Sequence, residues 1–327
     1  MPLGQRPNTA VSFFDPRQVA PVSYQYNLNL QRELTANVLF ELGYIGNISH
    51  HLNGSDLTLN QVPTDLMGPG DAQARRPFPQ FSDVRWINPS IGNSTYHGGF
   101  VRAEKRMSGT FSFLAHYTFS KFIDDVEATS EYGMTGNYMD AYNRRLDKGL
   151  SASDVPHHVV LTLLYELPGP KSNGLLKSAF GGWKLGLLET WMSGPPFTVF
   201  TSSNATNAFS AGPQRPNLLR KPELPKSERT VARWFDTTAF AAPAQFTFGN
   251  SPRSVLRGSP LFTTDLTLEK SFQLTESVKF DLRSEFYNLL NHANFNLPGL
   301  TYGAADFGVI SSARPGRAVQ LAARLAF

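Results

Sequence analysis

Tyr24, Tyr26, Leu28 and Leu30 alternate with Gln25, Asn27, Asn29 and Gln31. The same period of two recurs along the chain. Val38, Phe40, Leu42 and Tyr44 share one parity, as do Phe111, Phe113, Ala115, Tyr117 and Phe119. So do Val159, Leu161, Leu163 and Tyr165, and then Trp183, Leu185, Leu187 and Trp191, where Glu189 interrupts the row. Val278, Phe280, Leu282 and Phe286 stand against Lys279, Asp281, Arg283 and Glu285. The last residues repeat the pattern, with Val319, Leu321, Ala323, Leu325 and Phe327 on one parity and Gln320, Ala322, Arg324 and Ala326 on the other. Alternation of this kind predicts strands with one apolar and one polar face, and helical periodicity is almost absent. With GGFVRAEKRM and TTDLTLEKSF included, the reading is nine strands of roughly nine to eleven residues, the length of a tilted β-strand crossing a bilayer. Strands of a soluble sandwich are usually shorter. NGLLKSAFGG is the one stretch read as a short helical turn.

The connections sharpen this. Turns near Glu33–Ala36, Met107–Gly109 and Gln273–Ser277 are short, and LPGPKSNGLLKSAFGG is of middle length. Long Gly-, Pro- and Asn-rich connections are expected over about 47–95, 121–156 and 202–260, with another before the final strand. Short and long connections therefore alternate, the layout of outer-membrane barrels with short periplasmic turns and long extracellular loops. With the long loops outside, the first and ninth strands both run inward, and Phe327 falls on the periplasmic side. The expected fold is all-β, an antiparallel up-and-down transmembrane barrel, partial at about nine or ten strands.

Composition agrees. Charged residues make up 17% of the 327, Phe numbers 25 and the net charge is +4. Lys and Arg are scattered without a basic stripe, which argues against a nucleic-acid partner. The absence of Cys removes disulfides and thiolate metal sites. MPLGQRPNTAVSFFDP lacks the basic and apolar regions of a secretion signal.

The stretch SYQYNLNLQRELTANVLFELGYIGNISHHL resembles the barrel repeats of TonB-dependent outer-membrane receptors of the Oar-like type, which carry a carboxypeptidase-regulatory-like domain upstream. VLRGSPLFTTDLTLEKSF, RSEFYNLLNHANF and FGVISSARPGRAVQLAARLAF resemble that family too, so the likeness spans residues 1–327. The resemblance implies energised uptake across the bacterial outer membrane, powered through TonB. It also implies that Val319, Leu321, Ala323, Leu325 and Phe327 form the C-terminal signal read by the barrel-assembly machinery, with outer-membrane lipid against that face. The chain departs from the family in showing no TonB box, plug or upstream domain, and nine strands are too few for a barrel of about 22 with a plugged lumen. The expectation is a C-terminal portion of a longer receptor, which would meet TonB only through the missing N-terminal part. A small autonomous porin- or adhesin-like barrel and a soluble extracellular β-rich binding module are the alternatives. The ligand-binding residues are unknown at this stage.

Candidate chemistry is sparse. The histidines are His50-His51, His97, His116, His157-His158 and His292. His157 and His158 are adjacent on a strand and point to opposite faces, so they cannot chelate one ion. Asp124, Asp125, Glu127 and Glu131 cluster within DDVEATSEYG; calcium takes such oxygens, but EF-hand spacing is lacking and a solvated acidic loop is expected. No G-x-S-x-G, H-E-x-x-H or P-loop occurs, so neither an enzyme nor a cofactor is expected. Tyr24, Tyr26, Tyr44, Tyr117, Phe119, Trp183 and Trp191 are read as interfacial belts, and strand charges such as Asp281, Arg283 and Glu285 as lumen-lining and mutually compensated.

Overall fold

A computed structural model describes residues 9–126, 138–170 and 179–327. Among them, nine strands follow one another through a single antiparallel sheet. They are β1 (Val22–Thr35), β2 (Val38–Asn53), β3 (Ser90–Ser108), β4 (Phe111–Asp124), β5 (His157–Glu166), β6 (Trp183–Met192), β7 (Leu261–Gln273), β8 (Lys279–Tyr287) and β9 (Ala318–Ala326). Each pairs with its neighbour in sequence, and the short pair Gly149–Leu150 adds to the end of β4. Strand identity and order follow the hydrophobic alternation. Lengths do not: the strands run from 9 to 19 residues. β2 and β3 continue as a paired ribbon to Asn53 and Ser90, so the first long connection is 54–89 rather than 47–95. Polar residues such as Asn47, Ser49, Asn93 and Ser94 keep the ladder going, because backbone pairing does not need an apolar face once the ribbon is in water. The third long connection begins earlier than expected, at 193, after β6 ends at Met192.

The cross-strand register puts every alternating row on one side. Leu42 pairs with Val101, Val101 with Tyr117, Tyr117 with Val159 and Val159 with Trp191. Trp191 continues to Phe262, and further along Leu266 pairs with Phe286 and Phe286 with Val319. A one-residue slip anywhere would turn a whole strand inside out, so nine separate readings of parity agree in one outward face. The inward face carries Asn27, Glu41, Arg102, His116, Asp265, Asp281 and Arg324.

One end of the sheet carries the short connections 36–37, 109–110 and 274–278, with 167–182 of middle length. Gly109 turns with φ +72°, a conformation open to glycine without strain. The other end carries 54–89, 125–156, 193–260 and 288–317. The described residues of these connections are folded rather than loose. Phe197, Val199, Phe235, Ala239, Phe240 and Leu256 form a buried cluster, with Trp234, Leu297 and Phe307 packed against it. Phe235 meets Phe197, Phe240 and Phe307 at centroid distances of 5.2–5.9 Å, the edge-to-face and tilted geometry aromatic rings prefer. A second cluster of Val62, Ala72 and Ala208 joins the first and third long connections. The resulting cap holds buried aromatic side chains, while the sheet below leaves its apolar rows facing out.

β1 and β9 are the two edges, and they point the same way. The sheet is not closed. Antiparallel closure of one edge on the other is impossible with this orientation, because β1 and β9 would meet in parallel.

Candidate functional site

The inward wall is an ordered lattice of charges. Arg102 bridges Glu41 at 3.2 Å and Glu104 at 2.5 Å, Lys184 pairs with Glu166 at 2.9 Å, and Arg283 with Glu285 at 2.6 Å. Asp281 takes Lys279 at 2.9 Å and a hydrogen bond from Ser271 Oγ at 2.6 Å. These charges are compensated, as the strand pattern suggested.

The acidic stretch departs from expectation. Asp124 ends β4 and is 4% exposed, and its carboxylate faces the Arg253 guanidinium at 2.6 Å. Arg253 also donates to the carbonyls of Asp124 and Asp147, at 3.2 and 2.7 Å. Asp125 accepts from the Asn93 backbone at 2.6 Å. Asp124 is thus built into the wall rather than solvated, and Asp125 holds the Asn93 backbone at its edge, while Glu127 and Glu131 lie outside the described residues, as does most of the helical turn expected at NGLLKSAFGG. Two more arginines repeat the device. Arg215 pairs with Asp147 at 3.2 Å, and Arg257 pairs with Asp154 and donates to the Gly194 carbonyl at 3.2 Å. Burial pushes the Asp147 carboxyl up from the ordinary value, and the Arg215 guanidinium pulls it back. Together Arg215, Arg253 and Arg257 fasten the third long connection to the second. Sequence reasoning missed them, since isolated arginines in Gly- and Pro-rich loops look like any solvated charge.

The histidines do not converge. His157 sits on the outward face, stacked on Tyr117 at 6.1 Å with a hydrogen bond to its hydroxyl at 2.8 Å, and touching Phe119 and Trp191. His158 sits on the inward face, one residue away as anticipated. His97 meets Tyr44 at 2.7 Å, and His50 meets Asn93 at 2.9 Å. Among the described residues no group of three metal-ligating side chains occurs. The outward histidines extend the aromatic row of Tyr24, Tyr26, Tyr44, Tyr117, Phe119 and Trp191 near the long-loop end, whereas Trp183 lies at the short-turn end.

Where the inward face of β6 and β7 meets the cap, a cleft of about 560 Å³ opens. Met192 and Leu261, paired across β6 and β7, form its floor on the lumen side. Val155, Pro195, Phe295 and Leu297 supply apolar walls, and Ser153, Ser193, Ser259, Asn296 and Arg314 supply polar groups. The walls are held from behind. Asn294 receives the Phe262 backbone N–H at 2.8 Å and donates to the Phe262 carbonyl at 2.9 Å, and its own carbonyl accepts the Arg314 backbone N–H at 2.8 Å. Gly194 approaches Gly258 so closely that a Cβ would sit 2.0 Å from its carbonyl oxygen, so glycine is required at this rim. A preformed recess of this size with a few convergent polar groups is the usual form of a small-ligand site.

A family model for the outer membrane beta barrel domain matches residues 2–320. The chain belongs to that family. An outer-membrane barrel domain places the outward apolar rows in the lipid of the bacterial outer membrane and the cap on the cell exterior. Among the described residues no helix is long and apolar enough to cross a membrane; the strands do so. No curated protein matches the chain. Among solved structures, the outer membrane transporter YddB from Escherichia coli superposes with a TM-score of 0.52 at 10% identity, over 98% of this chain and 34% of that one. The ferric-catecholate import receptor Fiu from E. coli K12 gives 0.43 at 8% identity over 94% and 27%, and the copper transporter OprC gives 0.39 at 11% over 95% and 32%. The likeness to YddB is one of fold, and the chain spans about a third of the length of that transporter.

Val319, Leu321, Ala323 and Leu325 take their places on the outward face of β9, with Leu321 75% exposed. Phe327 follows the strand and is 90% exposed.

Proposed function

We propose that this barrel domain is the C-terminal portion of a TonB-dependent outer-membrane receptor of the Oar-like type, and that the whole receptor takes up a ligand captured by its cap. The observation that carries the reading is the shared direction of β1 and β9. An antiparallel barrel containing this sheet needs an odd number of further strands between those edges, and the family's larger barrels supply them. The likeness in fold to a transporter about three times as long supports it. Energy coupling and gating would belong to a plug and TonB box elsewhere in that polypeptide.

The test is the natural polypeptide in outer membranes of the source cell, detected with an antibody against β9. A chain much longer than 327 residues that captures the periplasmic domain of TonB supports the reading. A heat-modifiable barrel of this length, or a long chain that does not bind TonB, overturns it. In the same reading, Val319, Leu321, Ala323, Leu325 and Phe327 present the edge of β9 to the barrel-assembly machinery, where an unpaired strand is a template for pairing. Deleting Phe327 should lower the assembled, heat-modifiable fraction in the membrane; unchanged assembly would remove the signal role.

A further inference from the structure

The cleft between β6, β7 and the cap holds one charge. Arg314 is exposed and anchored through its backbone to Asn294. Among the described residues no carboxylate lies within ion-pair distance of its guanidinium, and no other charged side chain lines the recess. This contrasts with the surroundings: Arg215, Arg253 and Arg257 in the cap are paired with Asp147, Asp124 and Asp154, and the inward lattice pairs charges along and across its strands. Around Arg314 the recess offers the Asn296 amide, the Ser193 and Ser259 hydroxyls, and the apolar side chains of Met192 and Phe295.

Resting on the receptor reading, we propose that this cleft is the capture site for a carboxylate-bearing ligand with an apolar flank. A guanidinium presents a planar fork of donors that matches a carboxylate in two hydrogen bonds. The solitary cation matches a monoanion; a dianionic phosphate would bring excess charge that no second cation answers. The apolar flank follows from the floor and walls, which line the same recess. The cleft is of a size to take an amino-acid derivative or the end of a short peptide. The carboxylate could come from a free small acid or from a peptide C-terminus, and the probes separate the two.

The experiment uses the natural full-length polypeptide purified in detergent, so energy coupling plays no part in it. Binding is measured by calorimetry with N-acetylphenylalanine, its amide, and the tetrapeptide Gly-Gly-Leu-Phe as free acid and as amide. Wild type should bind at least one acid about tenfold more tightly than its amide, and whichever acid wins identifies the source. Arg314→Gln should bring acid and amide to the same weak level. Arg314→Lys should keep part of the difference, as a point charge without the fork. Arg314 has no side-chain partner to lose among the described residues, and unchanged heat-modifiable mobility on a gel confirms that the variants are folded. Equal binding of acids and amides by wild type, or an acid preference that survives Arg314→Gln, overturns the proposal. Capture of TonB by the same preparation would then still stand, so failure of the cleft and failure of the receptor reading are told apart.

Discussion

Glu189 breaks the apolar row of β6, and the structure shows how it is accommodated. The cross-strand partner on β7 is Thr264, whose hydroxyl donates to Glu189 Oε2 at 2.6 Å, two residues below Trp191. Lys270, outward on β7, folds over Trp183 and Phe272 at 5.5 and 4.9 Å and donates to the Gly181 carbonyl at the short-turn end. Glu189 is thus held by the hydroxyl opposite it, whereas Lys270 reaches toward its nearer interface, as long amphipathic side chains do. In the cap the stakes are higher, because charges are buried. Asp124→Ala removes the buried carboxylate that faces the Arg253 guanidinium in a site where both side chains are 4% exposed, which is expected to destabilise the cap by about 3–5 kcal/mol. Urea denaturation of the assembled protein measures it. Tyr138 gives a pH signature. Burial pushes its hydroxyl from an ordinary value of 10 up to about 12. The unfolded chain therefore loses this proton first, so Tyr138's contribution is complete below pH 10 and is lost as the pH rises through about 12. The full loss is about 2–3 kcal/mol. Tyr138→Phe should remove that part of the alkaline slope, and an identical slope in the variant would disprove the assignment.

At the scale of the element, the nine strands were legible because a sheet between lipid and water needs an apolar and a polar face, and alternation records that directly. Ends of strands were not legible. Once β2 and β3 leave the bilayer, both faces of the ribbon are wet, and Asn47, Ser49 and Ser94 carry the pairing without any apolar mark. The folded cap was equally hidden. Phe197, Phe235, Phe240 and Phe307 are spread over more than a hundred residues with no period, and only tertiary structure brings them together. The cleft was missed for the same reason, since Arg314 becomes distinctive only when its neighbours prove to be uncharged. The strand assignment makes a paired prediction on β6. Leu187→Arg puts a charge on the lipid side and is expected to cost about 2–4 kcal/mol, whereas Leu188→Arg faces the lumen and should change stability little. Folding titrations in lipid vesicles compare the two, and equal effects would mean that the faces are reversed.

At the scale of the whole molecule, the sheet and the cap are stabilised differently. The sheet relies on surrounding lipid and on its ladder of backbone hydrogen bonds. The cap has a water-excluding core and three arginine–aspartate fastenings, so it is preformed rather than closing on its ligand. Limited proteolysis of intact cells should therefore spare 193–260 despite the length of that connection. Rapid cleavage there would mean that the aromatic core does not hold the cap in water. A preformed cap also fits a recess whose walls are set by Asn294 and Gly194 before anything binds.

The matching direction of β1 and β9 bears on how such a wall can change over evolutionary time. Adding or removing a single strand within it would reverse every strand that follows, exchange inside connections for outside ones and send the final residue to the wrong side of the membrane. Only hairpins, two strands at a time, leave the ending where it is. Lineages of this wall are therefore expected to differ by even steps, with the cap growing by one long connection and the periplasmic rim by one short turn at each step.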